Sequence, residues 1–146
     1  MIYAPFFNEL YYSKKDENAF LEVLNSENKI LKTSKLPLKI NKTKDKNLSV
    51  VISKSRFSKE TEEFIENLKN STAELTLLKV GSSLKLCMLA KGSADICPSL
   101  YNTMEWDIAA ANAILIECNK SIKSYETGNC IKYNKNSMLN DLFVAQ

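Results

Sequence analysis

Histidine is absent from the 146 residues. Its absence excludes Ser-His-Asp hydrolysis, imidazole-activated cysteine nucleophiles, histidine-ligated zinc and imidazole acid–base catalysis. Any chemistry must rest on carboxylates, lysine, hydroxyls or a metal held by oxygen. Glycine and proline are scarce, at three each, which excludes collagen-like and low-complexity chains. No run approaches the ~18 consecutive apolar residues of a membrane span. The opening Met1-Ile2-Tyr3-Ala4-Pro5 lacks the basic start and apolar stretch of a signal peptide, so a cytoplasmic location is expected. Cys87, Cys97, Cys118 and Cys130 form no C-x-x-C pair and lie in apolar surroundings, which predicts buried free thiols in a reducing compartment.

The residues that are present suit one globular domain. Apolar content is 45% and charged content 25%, both ordinary for a folded protein. A domain of this length buries roughly 68–70% of its unfolded surface, enough for a real core. Net charge is only +3, with basic residues spread along the chain. That distribution marks neither a nucleic-acid groove nor a membrane-binding face.

The first half reads as β. Ile2–Ala4 and Leu10–Tyr12 are strand-like runs around a turn from Pro5 to Asn8. Ala19–Leu24 and Lys29–Lys32 flank Asn25-Ser26-Glu27-Asn28, a hairpin turn by composition. Leu36–Ile40 is a candidate further strand. A polar, lysine-rich linker from Asn41 to Asn47 then divides a β-rich segment, 1–47, from an α/β segment, 48–146. The strand-like opening has an edge that needs a partner.

From Leu48 onward, strands and helices alternate. Leu48-Ser49-Val50-Val51-Ile52 is nearly all apolar, as in a strand covered on both faces. Ser58 can cap a helix with Glu60, Glu62 and Glu63 near its positive end and a stripe of Phe64, Ile65 and Leu68. Leu75–Val80 is a second strand. Gly81-Ser82-Ser83 leads into a second helix with an expected apolar face of Leu84, Cys87 and Met88. Ala94–Cys97 is a short strand and Trp106 to Cys118 an alanine-rich helix. Ser121–Ser124 and Leu142–Ala145 close as weak strands. The alternation predicts an α/β fold with helices on a largely parallel sheet.

Three places offer chemistry. Gly81-Ser82-Ser83-Leu84-Lys85 joins a strand to a helix, where Gly81 permits a tight turn and helix N–H groups can receive an anion. Lys85 in the first turn opposes the helix dipole, a conflict that a bound phosphate would remove; otherwise it simply faces solvent. Asp107, near the start of the alanine-rich helix, is either an ordinary N-cap or a hard oxygen ligand for magnesium. Ser55 and Arg56 follow a strand's carboxy end, where open α/β sheets bind ligands. Arg56 is the chain's single arginine and can grip phosphate in bidentate fashion, or be a surface residue.

Four segments, in order, resemble the second half of the inositol monophosphatase superfamily, specifically its 3'(2'),5'-bisphosphate nucleotidase branch. Tyr3-Ala4-Pro5 is similar to V-Y-A-P, Val51-Ile52-Ser53-Lys54-Ser55-Arg56 to V-I-S-R-S-H, and Gly81-Ser82-Ser83-Leu84-Lys85 matches G-S-S-L-K. Glu105-Trp106-Asp107-Ile108-Ala109-Ala110-Ala111 is similar to E-W-D-T-A-A-G. The resemblance implies the αβαβα sandwich of these sugar phosphatases, truncated to its second half with hairpins from the first sheet. It also implies Mg²⁺-dependent hydrolysis of a phosphate monoester such as 3'-phosphoadenosine 5'-phosphate. Under it Asp107 is a metal ligand and also faces substrate. Gly81, Ser82 and Lys85 meet phosphate, and Ser55 and Arg56 hold phosphate or ribose.

The family's Glu-Glu pair and Asp-Pro-Leu-Asp-Gly-Thr motif have no counterpart among Asp16, Asp45, Asp95, Asp107 and Asp141 and their neighbours. Ile108 and Ala111 stand where the family has threonine and glycine. Ser99-Leu100-Tyr101 stands for Arg-Phe-Gly, and Asn119-Lys120 for a double glycine. One carboxylate does not assemble a two-metal site. Three readings follow: half of a split phosphatase completed by a separate amino-terminal chain, an inactive remnant, or a non-catalytic nucleotide-binding module.

Overall fold

The structure, a computed structural model, describes residues 1–38, 47–72 and 74–146. Four antiparallel strands open the chain: β1 (Ile2–Ala4), β2 (Glu9–Lys14), β3 (Asn18–Leu24) and β4 (Ile30–Lys35), in that spatial order. Their turns carry asparagine and aspartate in the left-handed region, at Asn8, Asp16 and Asn28. These residue types tolerate that conformation best after glycine. Asn25 sets the expected hairpin, its Oδ1 accepting from the Glu27 and Lys29 backbone N–H groups. Alternation then sorts the sides: Tyr11, paired with Leu21, faces inward, while Tyr12 and Phe20 stack on the other face at 5.5 Å.

The sheet ends earlier than the sequence suggests. Leu36 and Leu38 lie outside any strand, and Lys39 and Ile40 fall outside the described residues. Pro37 has no N–H for a ladder, and the Leu38 N–H donates instead to the Lys91 carbonyl, 3.1 Å away. Leu36 is buried in the core. The linker expected at Asn41–Asn47 lies outside the described residues up to Lys46, and Asn47 begins the next strand.

β5 (Asn47–Ser53) pairs in parallel with β6 (Glu74–Val80), and α1 (Lys59–Ser71) connects them. Ser58 caps α1 as expected, accepting from the Thr61 N–H at 3.2 Å. Val50 and Ile52 pack with Ile65 of α1, while Val51 joins the main core on the opposite face. Period-two alternation therefore buries β5 on both sides. After β6 come α2 (Leu84–Lys91), β7 (Cys97–Ser99), α3 (Glu105–Ile116), β8 (Ile122–Ser124) and β9 (Phe143–Ala145).

Three sequence expectations need correction. The sheet is not largely parallel: beyond the β5–β6 pair the described residues add one parallel bridge, from Val50 of β5 to Ile96, while β7, β9 and β8 form an antiparallel sheet. The buried face of α2 is Lys85, Leu86, Cys87, Leu89 and Ala90, because the helix is covered by β5 and β7 as well as α3. A single stripe of Leu84, Cys87 and Met88 is too narrow for a helix enclosed on several sides. Third, the strand expected at Ala94–Cys97 begins at Cys97, since the Asp95 and Ile96 N–H groups turn back to the Ser49 carbonyl.

The main core joins the two halves of the sequence. Tyr11, Ala19, Leu21 and Leu36 meet Leu86, Leu89 and Ala90 of α2 and Ile108, Ala111, Ile114 and Leu115 of α3. α2 and α3 thus lie between the first sheet and the β5–β7 region, with α1 beyond it. The described layers run β, α, β, α. Ala111 permits this close approach of α3, having no side chain beyond Cβ.

Candidate functional site

The pocket is built where three chain segments end or begin. β5 stops at Ser53, whose Oγ accepts from the backbone N–H of Ser55 at 3.4 Å and of Arg56 at 3.1 Å. That turn fixes Arg56. Its Nη1 donates to the Asn102 carbonyl at 3.3 Å, and its guanidinium lies 5.6 Å from the Tyr101 ring centroid. One side of the Tyr101 ring is therefore taken by a cation.

The second segment is the turn from β6 into α2. Here the left-handed residue is Ser82, at φ 61°, and Gly81 is not in that region. The tight-turn role expected of Gly81 thus falls on its neighbour. A Cβ placed on Gly81 would meet nothing within 4 Å. Lys85 is only 7% exposed, and its Nζ donates to the Ser82 carbonyl at 3.0 Å. It does not simply face solvent.

The third segment is the start of α3. Asp107 is not the N-cap; Met104 is, and Asp107 lies three residues on. Its Oδ2 reaches back to accept from the Met104 N–H at 2.8 Å. That bond satisfies one of the donors a helix leaves free at its start. Glu105 before it is buried and holds the segment around Lys135. Its oxygens accept from Lys135 Nζ at 2.7 Å and from the backbone N–H of Asn134 at 2.8 Å. The Lys135 ammonium, with the backbone N–H groups of Asn134 and Lys135, holds the Glu105 carboxyl below its ordinary range against the effect of desolvation.

Between these segments lies a pocket of about 410 Å³. Ser55, Arg56, Ser82, Lys85 and Asp107 all line it, so five residues drawn from three distant sequence segments share one space. Gly81 stands beside it without lining it. Ser53, Ser99, Tyr101, Thr103 and Trp106 also line it and were not selected from sequence. Trp106 was next to a selected residue, but nothing in the spacing marks Tyr101 or Thr103. Cys97 is on the pocket's buried side, and burial pushes its thiol up to about 12. Cys87 is likewise raised to about 12 and Cys118 to about 11, both chiefly by burial. Cys130 departs from expectation: it is exposed.

Two cations face one carboxylate among the described lining residues, an arrangement suited to a phosphorylated ligand. It does not suit a resident pair of magnesium ions. Asp107 is the acidic lining residue, one of its oxygens is already bonded to the Met104 N–H, and the other lining side-chain oxygens are neutral hydroxyls. No group of three or more histidine, cysteine, aspartate or glutamate side chains among the described residues is placed to hold a metal ion.

The inositol monophosphatase family model matches residues 1–141. The chain belongs to the inositol monophosphatase family. Among this family's curated members it is similar to the 3'(2'),5'-bisphosphate nucleotidase CysQ of Buchnera aphidicola, 33% identical over 130 residues. That match covers 88% of this chain and 43% of the Buchnera protein. The corresponding CysQ of Salmonella typhimurium is 29% identical over 145 residues, covering 98% of this chain and 52% of the relative. The chain spans about half the length of these curated relatives. Among solved structures, CysQ from Bacteroides thetaiotaomicron superposes with a TM-score of 0.88 at 31% identity, covering 99% of this chain and 55% of that one. Staphylococcal inositol monophosphatase II, at 19% identity and a TM-score of 0.63, shares the fold. This inositol monophosphatase family member therefore shares the α/β sandwich of its relatives over part of their length. No helix among its described residues is long and apolar enough to cross a membrane.

Proposed function

We propose that this chain is the carboxy-terminal, substrate-holding portion of a Mg²⁺-dependent 3'(2'),5'-bisphosphate nucleotidase. The observation that carries the reading is the meeting of Arg56, Lys85 and Asp107 on one polar pocket. Arg56 offers a planar fork of donors to a phosphate, and Lys85 a compact point charge held by the Ser82 carbonyl. Ser55 and Ser82 add hydroxyls for phosphate or ribose oxygens. Asp107 is the residue this portion would contribute toward magnesium, with its oxygen not bonded to Met104.

The same inventory limits what the chain does alone. Hydrolysis of a phosphate monoester by two metal ions needs several carboxylates to hold them and to orient a water. These would come from outside the 146 residues, through a separate amino-terminal chain that docks beside the pocket. Substrate binding without turnover is the expected behaviour of the isolated chain. Relatives named bisphosphate nucleotidase support the nucleotide as substrate over an inositol phosphate.

Phosphate release from 3'-phosphoadenosine 5'-phosphate tests the reading. The isolated chain with saturating Mg²⁺ should release none above background. Adding the separately expressed segment of the Buchnera CysQ that lies outside the match should produce turnover. Turnover by the isolated chain would refute its dependence on outside carboxylates. Nucleotide binding with no turnover in the mixture favours a second reading, a non-catalytic nucleotide-binding remnant, which Ile108 and Ala111 beside Asp107 support.

A further inference from the structure

Asn140, near the carboxy end of the chain, meets Thr103 twice. Its backbone N–H donates to the Thr103 carbonyl at 2.9 Å, and its side-chain Nδ2 donates to Thr103 Oγ1 at 3.1 Å. A bridge between Met104 and Leu139, and the Glu105 N–H bonded to the Met138 carbonyl, hold the two segments in this register. Asn140 is 5% exposed and Thr103 8%; Thr103 lines the pocket and Asn140 does not. Asn140 Oδ1 is buried with no hydrogen-bond partner among the described residues. An unpaired buried acceptor costs stability, so packing alone does not explain an amide at this place. What the amide supplies is its N–H.

We infer that Asn140 is a positioning residue acting through Thr103, whose hydroxyl it sets to donate into the pocket toward an anionic oxygen of the ligand. This rests on the nucleotide reading given above and adds to it a neutral donor fixed from outside the pocket. A hydroxyl has one hydrogen and two lone pairs. One lone pair of Thr103 Oγ1 is taken by the Asn140 amide, which can only donate, so the hydroxyl hydrogen points away from that bond. Among the described residues Thr103 Oγ1 donates to none, and the pocket is the space it lines. A hydroxyl free to rotate serves donors and acceptors alike. One held in this way suits a phosphate oxygen, which only accepts, and the charge on that oxygen strengthens the bond.

Calorimetric titration with 3'-phosphoadenosine 5'-phosphate tests this on single and paired variants. Thr103→Val keeps the shape and loses the hydroxyl, and should bind about tenfold more weakly; Thr103→Ser should keep most of the affinity. Asn140→Asp also keeps the shape, but its carboxylate accepts the Thr103 proton and turns it away from the pocket. It should cost about tenfold with Thr103 in place and much less in the Thr103→Val background. Asn140→Leu, which frees the hydroxyl without adding charge, should show the same coupling on a smaller scale and serves where the carboxylate disturbs folding. Unchanged affinity in Thr103→Val would overturn the donor role. A tolerated Asn140→Asp, or an Asn140 effect of equal size in both backgrounds, would overturn its action through Thr103. Either result leaves the Arg56 and Lys85 contacts standing. Absence of binding by the unmodified chain would overturn the nucleotide reading and this inference together.

Discussion

Lys85 Nζ donates to the carbonyl of Ser82, the residue that carries the left-handed turn ahead of α2. The lysine thereby fastens the turn and keeps its charge on the pocket. Gly81, one residue earlier, has neither a positive φ nor a crowded Cβ position. Gly81→Ala should therefore stabilise the chain by about 0.4–1 kcal/mol, by restricting the unfolded state, as measured by urea denaturation. Destabilisation would show that the turn needs glycine after all.

Glu105 gives the fold an acid-sensitive contact. Its carboxyl is held below the ordinary range by Lys135, so its contribution is present above its unfolded value near 4.5 and is lost as pH falls through the lower folded value. Glu105→Gln should lower thermal stability at pH 7, and the gap from the unmodified chain should close below about pH 4. Scanning calorimetry across that range checks both. A gap that stays constant with pH would show that the ion pair contributes nothing.

The four thiols should divide one against three. Cys130 is exposed, whereas Cys87, Cys97 and Cys118 are buried with thiols pushed up to between about 11 and 12. Ellman's reagent at pH 8 should titrate one thiol quickly in the native chain and four in denaturant. Rapid reaction of a second thiol in the native state would place one of the buried cysteines within reach of solvent.

Leu115 lies at the meeting of α3 with the main core and has no exposed surface. Leu115→Ala should cost about 2–5 kcal/mol, from lost burial and the cavity left behind. Denaturant unfolding measures it, with a shift in midpoint at unchanged slope. A cost well under that range would mean that α3 is not packed tightly into the core it shares with the first sheet and α2.

The parts legible in the sequence were those written in local signals. Asn25 announced a hairpin because its side chain mimics a turn's backbone acceptor, and Ser58 announced a helix because its hydroxyl replaces a missing one. Val50, Val51 and Ile52 showed burial on both faces by having no polar alternation. What escaped depended on distant partners. The enclosed face of α2 is set by what covers it, and the antiparallel pairing of β7 with β9 joins Cys97 to Ala145 across most of the second half. Asp107 read as a possible N-cap because aspartate favours that place, yet Met104 took the cap and Asp107 the third helical position. Tyr101 and Thr103 reached the pocket through loop geometry, for which single-sequence spacing has no code.

Arg56 after β5 and Lys85 in the first turn of α2 line one pocket, and we propose that together they grip one phosphorylated nucleotide. Calorimetric titration with 3'-phosphoadenosine 5'-phosphate, on the unmodified chain, Arg56→Ala and Lys85→Ala, tests it most directly. Binding should be saturable and at least about tenfold weaker in each variant, from the loss of one charge-assisted contact. Equal affinity in all three proteins would contradict it.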